Sequence, residues 1–149
     1  MVEEVLVKES LSTQEIAAGE ELLSRLRRAG IKVVAAYWLR PAETGSWLLD
    51  IVTPAVDKEG PLKVYEKLHE LVSVPKRIAG GLDINIINVL GLNYSFFKNL
   101  KLAIRSAKEL SGVRLPQFVV GDSLVDLYIY KFPATENSSN EAPPSRLAV

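Results

Sequence analysis

The chain has no cysteine and only one histidine, His69, among its 149 residues. The absence of cysteine excludes disulfides, thiolate-bound zinc or iron–sulfur sites and a thiol nucleophile. A single histidine excludes a multi-histidine metal site within one chain. His69 borders the apolar face of a predicted helix, where a structural or surface role is more common than that of a catalytic base. We therefore expect neither a metal nor a cofactor.

Long apolar runs and nucleotide-binding or esterase motifs are also missing. A helix that crosses a bilayer needs roughly 18–20 apolar residues, and the runs here, such as residues 33–38, are far shorter. Residues 1–10 are acidic and alternating, unlike a secretory signal, so we expect a cytoplasmic protein without membrane contact. GxGxxG, GxSxG and GxxxxGK followed by Ser or Thr are all absent, which leaves phosphate-binding loops and an esterase elbow unsupported.

What is present has the composition of an ordinary globular domain. Hydrophobic residues make up 48% of the chain and charged residues 24%, close to the averages for such domains. The length suits one domain with a sizeable core. Residues 133–149 are rich in Pro, Ser, Asn and Glu, too polar to bury much surface. We predict one domain over residues 1–132 and a flexible polar tail over residues 133–149.

Local patterns predict the secondary structure of the domain. Ser12 and Glu15 form a capping box for a first helix that ends at Gly30. Two apolar runs separated by turn residues predict an antiparallel β-hairpin. The predicted elements are the first helix, hairpin strands at 31–40 and 46–53, a helix from Pro61, a strand at 82–90, a helix at 94–110 and a strand at 123–132. The order α-β-β-α-β-α-β predicts an α+β or layered α/β domain, with one mixed sheet of about four strands and three helices.

Asp50 is the first candidate for a functional residue, because it interrupts an apolar strand. It shares a strand face with Leu48 and Val52, where a carboxylate is costly unless it is solvated or paired. The interpretation we favour pairs Asp50 with Arg40 or Lys32 across the hairpin. The alternative makes Asp50 a metal ligand or general base together with nearby carboxylates. The helix–strand–strand–helix order is similar to that of restriction-nuclease-like enzymes, but their Asp/Glu-x-Lys triplet does not follow Asp50 on a strand.

The hairpin also carries an aromatic group next to an arginine. Tyr37, Trp38 and Trp47 lie in it together with Arg40. Aromatic side chains stack on bases or anchor partner proteins, and they also fill cores. Because neighbouring residues of a strand point to opposite faces, we expect only one of Tyr37 and Trp38 to point inward. The other should be exposed or covered by a partner.

Charge is unevenly distributed in a chain whose net charge is zero. Residues 1–74 hold nine basic and twelve acidic side chains, net −3, whereas residues 75–114 hold seven and two, net +5. Four of these basic residues follow helical spacing: Lys98, Lys101, Arg105 and Lys108. On one helix they would form a basic stripe, either a solvated outer face or a surface for phosphates.

These features favour a non-catalytic binding protein that associates with itself, most simply as a homodimer. An acidic first half facing a basic segment of a second copy would give a two-fold complementary interface. One alternative is nucleic-acid binding through the four basic residues, with stacking on Trp38 or Trp47. The other is a metal-dependent hydrolase centred on Asp50.

Overall fold

The structure is a computed structural model that describes residues 11–73 and 82–135. In chain order the elements are α1 (Thr13–Arg28), β1 (Ala35–Pro41), β2 (Leu48–Val52), α2 (Pro54–Glu59), α3 (Pro61–Ser73), a 3₁₀ turn (Ile84–Ile86), β3 (Ile87–Leu90), α4 (Ser95–Ala103), β4 (Val113–Val120) and β5 (Ser123–Lys131). The strands form one sheet in the order β3-β2-β1-β5-β4. Strands β2 and β3 are parallel, and the other neighbours are antiparallel. The predicted α+β class is confirmed.

The first helix and the first hairpin match the sequence prediction. The Ser12 hydroxyl accepts a hydrogen bond from the Glu15 amide at 3.0 Å, and the Glu15 carboxylate accepts one from the Ser12 amide at 3.0 Å. Two amides at the open end of α1 are therefore satisfied. Gly30 follows the helix with φ of 85°, the left-handed conformation that glycine adopts most easily. Strands β1 and β2 pair in antiparallel register, with Tyr37 opposite Asp50.

The number of elements differs from the prediction. The sheet has five strands rather than four, because residues 113–120 form β4 although they contain Pro116. A register shift falls between Leu115 and Phe118, and Gln117 has φ of 50°. This bulge accommodates the proline and breaks the alternation by which the strand would be recognised. The helix predicted from Pro61 is preceded by a separate short helix, α2, since Gly60 with φ of 88° divides the two.

The helix predicted over residues 94–110 is too long. Helix α4 ends at Ala103, and Ile104 already has extended backbone, with φ of −91° and ψ of 123°. The following residues run back toward the sheet, where Leu110 forms a bridge with Phe132. Helix propensity favours continuation through this segment, but the bridge and the burial of Ile104 end the helix earlier.

Helices cover both faces of the central sheet. Beneath α1 and α3, the core contains Trp38 of β1, Leu49 and Ile51 of β2, and Tyr130 of β5. The other core lies on the side of α4 and contains Tyr37, Phe97, Ile129 and Phe132. We call these two sides of the sheet the α1 face and the α4 face. Strand β1 therefore lies between two packed layers. Burial on both faces explains why its sequence is continuously apolar, as is typical of a central strand.

Both edges of the sheet are modified in ways that hinder strand addition. At β3, the Tyr65 hydroxyl accepts the Val89 amide at 2.9 Å and donates to the Ile87 carbonyl at 3.3 Å. At β4, Pro116 has no amide hydrogen, and the amide of Gln117 donates to Asp126 instead of pointing outward. Proline, bulges and covered edges are the usual protections against strand pairing between molecules.

The predictions of a polar tail and of a chain without membrane contact concern residues that the structure describes only in part. Most of the predicted tail, residues 136–149, lies outside the described residues. No helix within residues 11–73 and 82–135 has both the length and the apolar character needed to cross a membrane.

Candidate functional site

Asp50 lies on the α4 face and is nearly completely buried, with 1% of its surface exposed. Its neighbours on that face are Tyr37 on β1 and Asn88 on β3, each directly opposite it in the sheet. The Asn88 amide donates to the Asp50 carboxylate at 3.1 Å. The predicted ion pair across the hairpin is wrong, because Arg40 points to the α1 face and pairs with Asp126.

The surroundings of Asp50 favour its protonated form. Burial raises the pKa of the Asp50 carboxyl to about 6, while the Asn88 amide and the nearby Tyr37 hydroxyl act in the opposite direction. Burial also raises the pKa of Tyr37, and the charge of Asp50 adds to this effect. The Tyr37 hydroxyl is close enough to influence Asp50, yet it makes no hydrogen bond of acceptable geometry. The Asp50 carboxyl therefore loses its proton near pH 6 rather than near pH 3.8, but its burial keeps it away from a substrate.

Tyr94 lies at the outer side of this cluster, immediately before α4. Partial burial raises the pKa of its hydroxyl, and the Asp50 charge adds to this effect. Its side chain is 38% exposed, so the phenol ring separates the buried carboxyl from solvent only in part. In the part of the chain that the structure describes, no three His, Cys, Asp or Glu side chains gather as they would around a metal ion.

The expectation that only one of Tyr37 and Trp38 points inward is wrong. Both are 0% exposed, since the sheet is covered on both faces at β1. The Trp38 indole donates to the Tyr130 hydroxyl at 2.8 Å, and that hydroxyl donates to the carbonyl of Ile16 in α1 at 2.6 Å. The Tyr130 hydroxyl therefore links β1 and β5 to α1, and Trp38 is a core residue that presents no surface to a partner.

Arg40 and Trp47 lie on a different surface, at the end of the α1 face that the helices leave uncovered. The Arg40 guanidinium lies 5.8 Å from the centre of the Trp47 ring and forms an ion pair with Asp126 on β5. On the next strands, the Arg114 guanidinium lies 5.3 Å from the centre of the Tyr128 ring. Such stacks fix arginine side chains against the sheet.

We call this surface the open face. Its residues are Arg40, Trp47, Arg114, Val119, Leu124, Asp126 and Tyr128. The core beneath α1 and α3 contains no side chain from β4. Val119 and Leu124 lie directly opposite each other on β4 and β5. They are 61% and 45% exposed, so two aliphatic side chains form one apolar patch beside the arginine–aromatic stacks.

The four predicted stripe residues do not share a helix. Lys98 and Lys101 lie on α4, whereas Arg105 and Lys108 lie beyond its end at Ala103. All four side chains are exposed. The Lys101 ammonium lies 5.0 Å from the centre of the Phe97 ring, a contact that orients it along its own helix.

Most residues of the open face were missing from the sequence prediction. Arg114 and Val119 belong to β4, a strand that the sequence pattern does not predict, and Leu124, Asp126 and Tyr128 alternate with the buried residues of β5. The alternation in β5 was a usable signal, because it separates Leu124, Asp126 and Tyr128 from Val125, Leu127 and Ile129. Which of these two sets is covered depends on where the helices pack.

Comparison of the chain with protein families, with curated proteins and with solved structures finds no match.

Proposed function

We propose that this protein is a non-catalytic binding protein that associates with a second copy of itself through the open face. The observation that carries the proposal is the pair Val119 and Leu124, exposed and directly opposite each other on neighbouring strands. Contiguous apolar surface on a sheet face is a common mark of a protein interface.

A second copy is the partner that this patch fits best by symmetry. In a two-fold dimer the same surface meets itself, and an aliphatic patch close to the axis is its own complement. The charges around the patch are compatible with this arrangement. Asp126 and Arg40 neutralise each other within one copy, which leaves the Arg114–Tyr128 stack to pack at the polar rim.

Association through the face also agrees with the protection of the sheet edges. Tyr65 occupies the outward groups of β3, and Pro116 with the neighbouring bulge interrupts β4. Open-ended strand addition is therefore hindered at both edges. A face-to-face contact closes on itself and gives a dimer rather than a fibre.

The test is the molar mass of the protein in solution, measured by light scattering and sedimentation from micromolar to submillimolar concentration. The wild-type chain should shift from monomer to dimer as its concentration rises. Leu124→Lys places a charge in the interface twice per dimer, and we expect it to weaken association by at least about tenfold.

Leu62→Lys is the matched control, because Leu62 is 70% exposed and lies on α3, away from the open face. It should associate like the wild type. A wild-type protein that stays monomeric at submillimolar concentration contradicts the proposal, and so does a Leu124→Lys variant that dimerises normally.

The alternatives from the sequence stay predictions. Nucleic-acid binding would use Lys98 and Lys101 on α4 with Arg105 and Lys108 beyond it, and Trp47 rather than the buried Trp38 for stacking. A hydrolase centred on Asp50 would need that carboxylate to become accessible. The exposed patch at Val119 and Leu124 favours self-association over both.

A further inference from the structure

A small cleft on another part of the surface collects four lysine side chains. It lies where the end of α1 meets α2 and the first turns of α3, and it has a volume of about 270 Å³. The lysines come from three separate segments of the chain: Lys32, Lys58, Lys63 and Lys67. Within residues 11–73 and 82–135, Glu59 is the one acidic residue that lines the same cleft. The described lining of the cleft thus carries an excess of positive charge.

None of these lysines forms an ion pair within residues 11–73 and 82–135. All four side chains are exposed. Clustered like charges raise the energy of the folded chain, and an anion bound among them would remove that repulsion. Only the position of Lys58 has a local explanation, since Lys58 lies in the last turn of α2, where a cation complements the helix dipole. The other three have no such explanation.

The N-terminal end of α3 adds to the positive charge around the cleft. The first turn of a helix usually carries acidic residues, which complement the positive end of the dipole. The first turn of α3 has no acidic residue and carries Lys63 instead. Lys67 follows one helical turn later on the same side. The dipole and the two ammonium groups thus act in the same direction on an anion in the cleft.

The size and lining of the cleft limit what it can hold. A volume of 270 Å³ lies just below the range of about 300–1,000 Å³ that is usual for sites of drug-sized ligands. Ala29, Gly30 and Ala55 form small-residue walls, so the lysines supply most of the polar contacts. Lysine ammonium groups act on phosphate as point charges with three donors each.

We propose that this cleft binds a compact polyanion that carries two or more phosphate groups. Inorganic tripolyphosphate is the probe, and isothermal titration calorimetry at low ionic strength is the measurement. The wild-type protein should bind tripolyphosphate more tightly than orthophosphate, because more phosphate charge reaches the four lysines. The affinity should fall steeply as salt is added.

Charge-removing variants separate this site from the rest of the surface. Lys63→Gln with Lys67→Gln should weaken tripolyphosphate binding by about tenfold, since two of the four cations are lost. Glu59→Gln should strengthen it by about two- to fivefold. The matched control is Lys98→Gln with Lys101→Gln, two exposed lysines on α4, and it should bind like the wild type.

Thermal unfolding gives a second readout that a purely structural role of the lysines would not produce. Without anion, the variant with Lys63→Gln and Lys67→Gln should unfold at the same temperature as the wild type or higher, because repulsion is relieved. With tripolyphosphate, only the wild type and the α4 control should gain stability.

Three results would overturn the proposal. The first is no binding of tripolyphosphate by the wild type at millimolar concentration in low salt. The second is an equal loss of affinity in the cleft variant and the α4 control. The third is tighter binding of a single-stranded oligonucleotide than of tripolyphosphate through the same lysines, which would make the surface a nucleic-acid site.

Discussion

Replacing Asp50 with asparagine should make the protein more stable at neutral pH, although the substitution removes a buried hydrogen-bonding group. Asp50 is 1% exposed, and its burial raises the pKa of the carboxyl from 3.8 to about 6. Asparagine has nearly the same shape and never ionises. Its side-chain oxygen can accept the hydrogen bond that the Asn88 amide now donates to Asp50.

The magnitude follows from the linkage between proton binding and folding. The folded protein holds the Asp50 proton more tightly than the unfolded chain does, so stability from this group is greatest below pH 3.8. It is lost as the pH rises from 3.8 to about 6. One pKa unit corresponds to about 1.4 kcal/mol, which makes the loss about 3 kcal/mol. Above about pH 6 the loss is complete, and Asp50→Asn avoids it.

The assay is urea unfolding of the wild type and Asp50→Asn at a series of pH values from 3.5 to 8. The difference in free energy of unfolding should increase in favour of the variant by about 3 kcal/mol between pH 3.8 and 7, and then stay constant. Other titrating groups cancel in this difference. Asp122→Asn, in the exposed turn between β4 and β5, controls for the loss of one negative charge.

A difference that does not change with pH would refute this reasoning, as would a wild type that gains stability relative to the variant between pH 4 and 6. The first result would mean that water or a moving side chain solvates Asp50 in the folded state. The second would mean that an unrecognised cation or donor stabilises the ionised carboxylate.

Two further predictions concern close contacts of tyrosine hydroxyls. Gly19→Ala should destabilise the protein by about 1–3 kcal/mol in urea unfolding, because the new methyl group would overlap the Tyr130 hydroxyl, which hydrogen bonds to Trp38 and Ile16 hold in place. Helix propensity alone predicts stabilisation, so a more stable variant would contradict the packing. Tyr65→Phe should cost about 1 kcal/mol and speed hydrogen exchange of the Val89 amide, which loses its acceptor; unchanged exchange at Val89 would show that this edge contact does not protect β3.

Local sequence signals were sufficient where the structure depends on local interactions. The capping box at Ser12 and Glu15 defines the beginning of α1, and the left-handed Gly30 defines its end. The turn between the apolar runs of β1 and β2 defines the hairpin. These features need only neighbouring backbone and side-chain groups, so a pattern of a few residues contains the information.

Local sequence patterns gave the wrong secondary structure where contacts with a distant part of the chain decide it. Strand β4 contains Pro116, and only its pairing with β5 around a bulge makes it a strand. Helix α4 stops at Ala103 because residues 104–110 return to the sheet and bridge to Phe132. Periodicity within a segment does not report such competing contacts.

The functional candidates divide in the same way. The sequence by itself determined that Asp50 is an anomaly, because a carboxylate among aliphatic residues of a strand is costly wherever that strand lies. Only the tertiary structure decided that both faces at Tyr37 and Trp38 are covered, since burial depends on which layers pack on the sheet.

The four lysines of the cleft show the difference most clearly. The sequence places them within residues 1–74, a segment with a net charge of −3, and only Lys63 and Lys67 among the four share a helical spacing. Folding brings Lys32, Lys58, Lys63 and Lys67 to one cleft, and of the carboxylates of the segment that the structure describes only Glu59 lines it. Net charge is a sum over sequence, whereas the field at a site depends on distances in space.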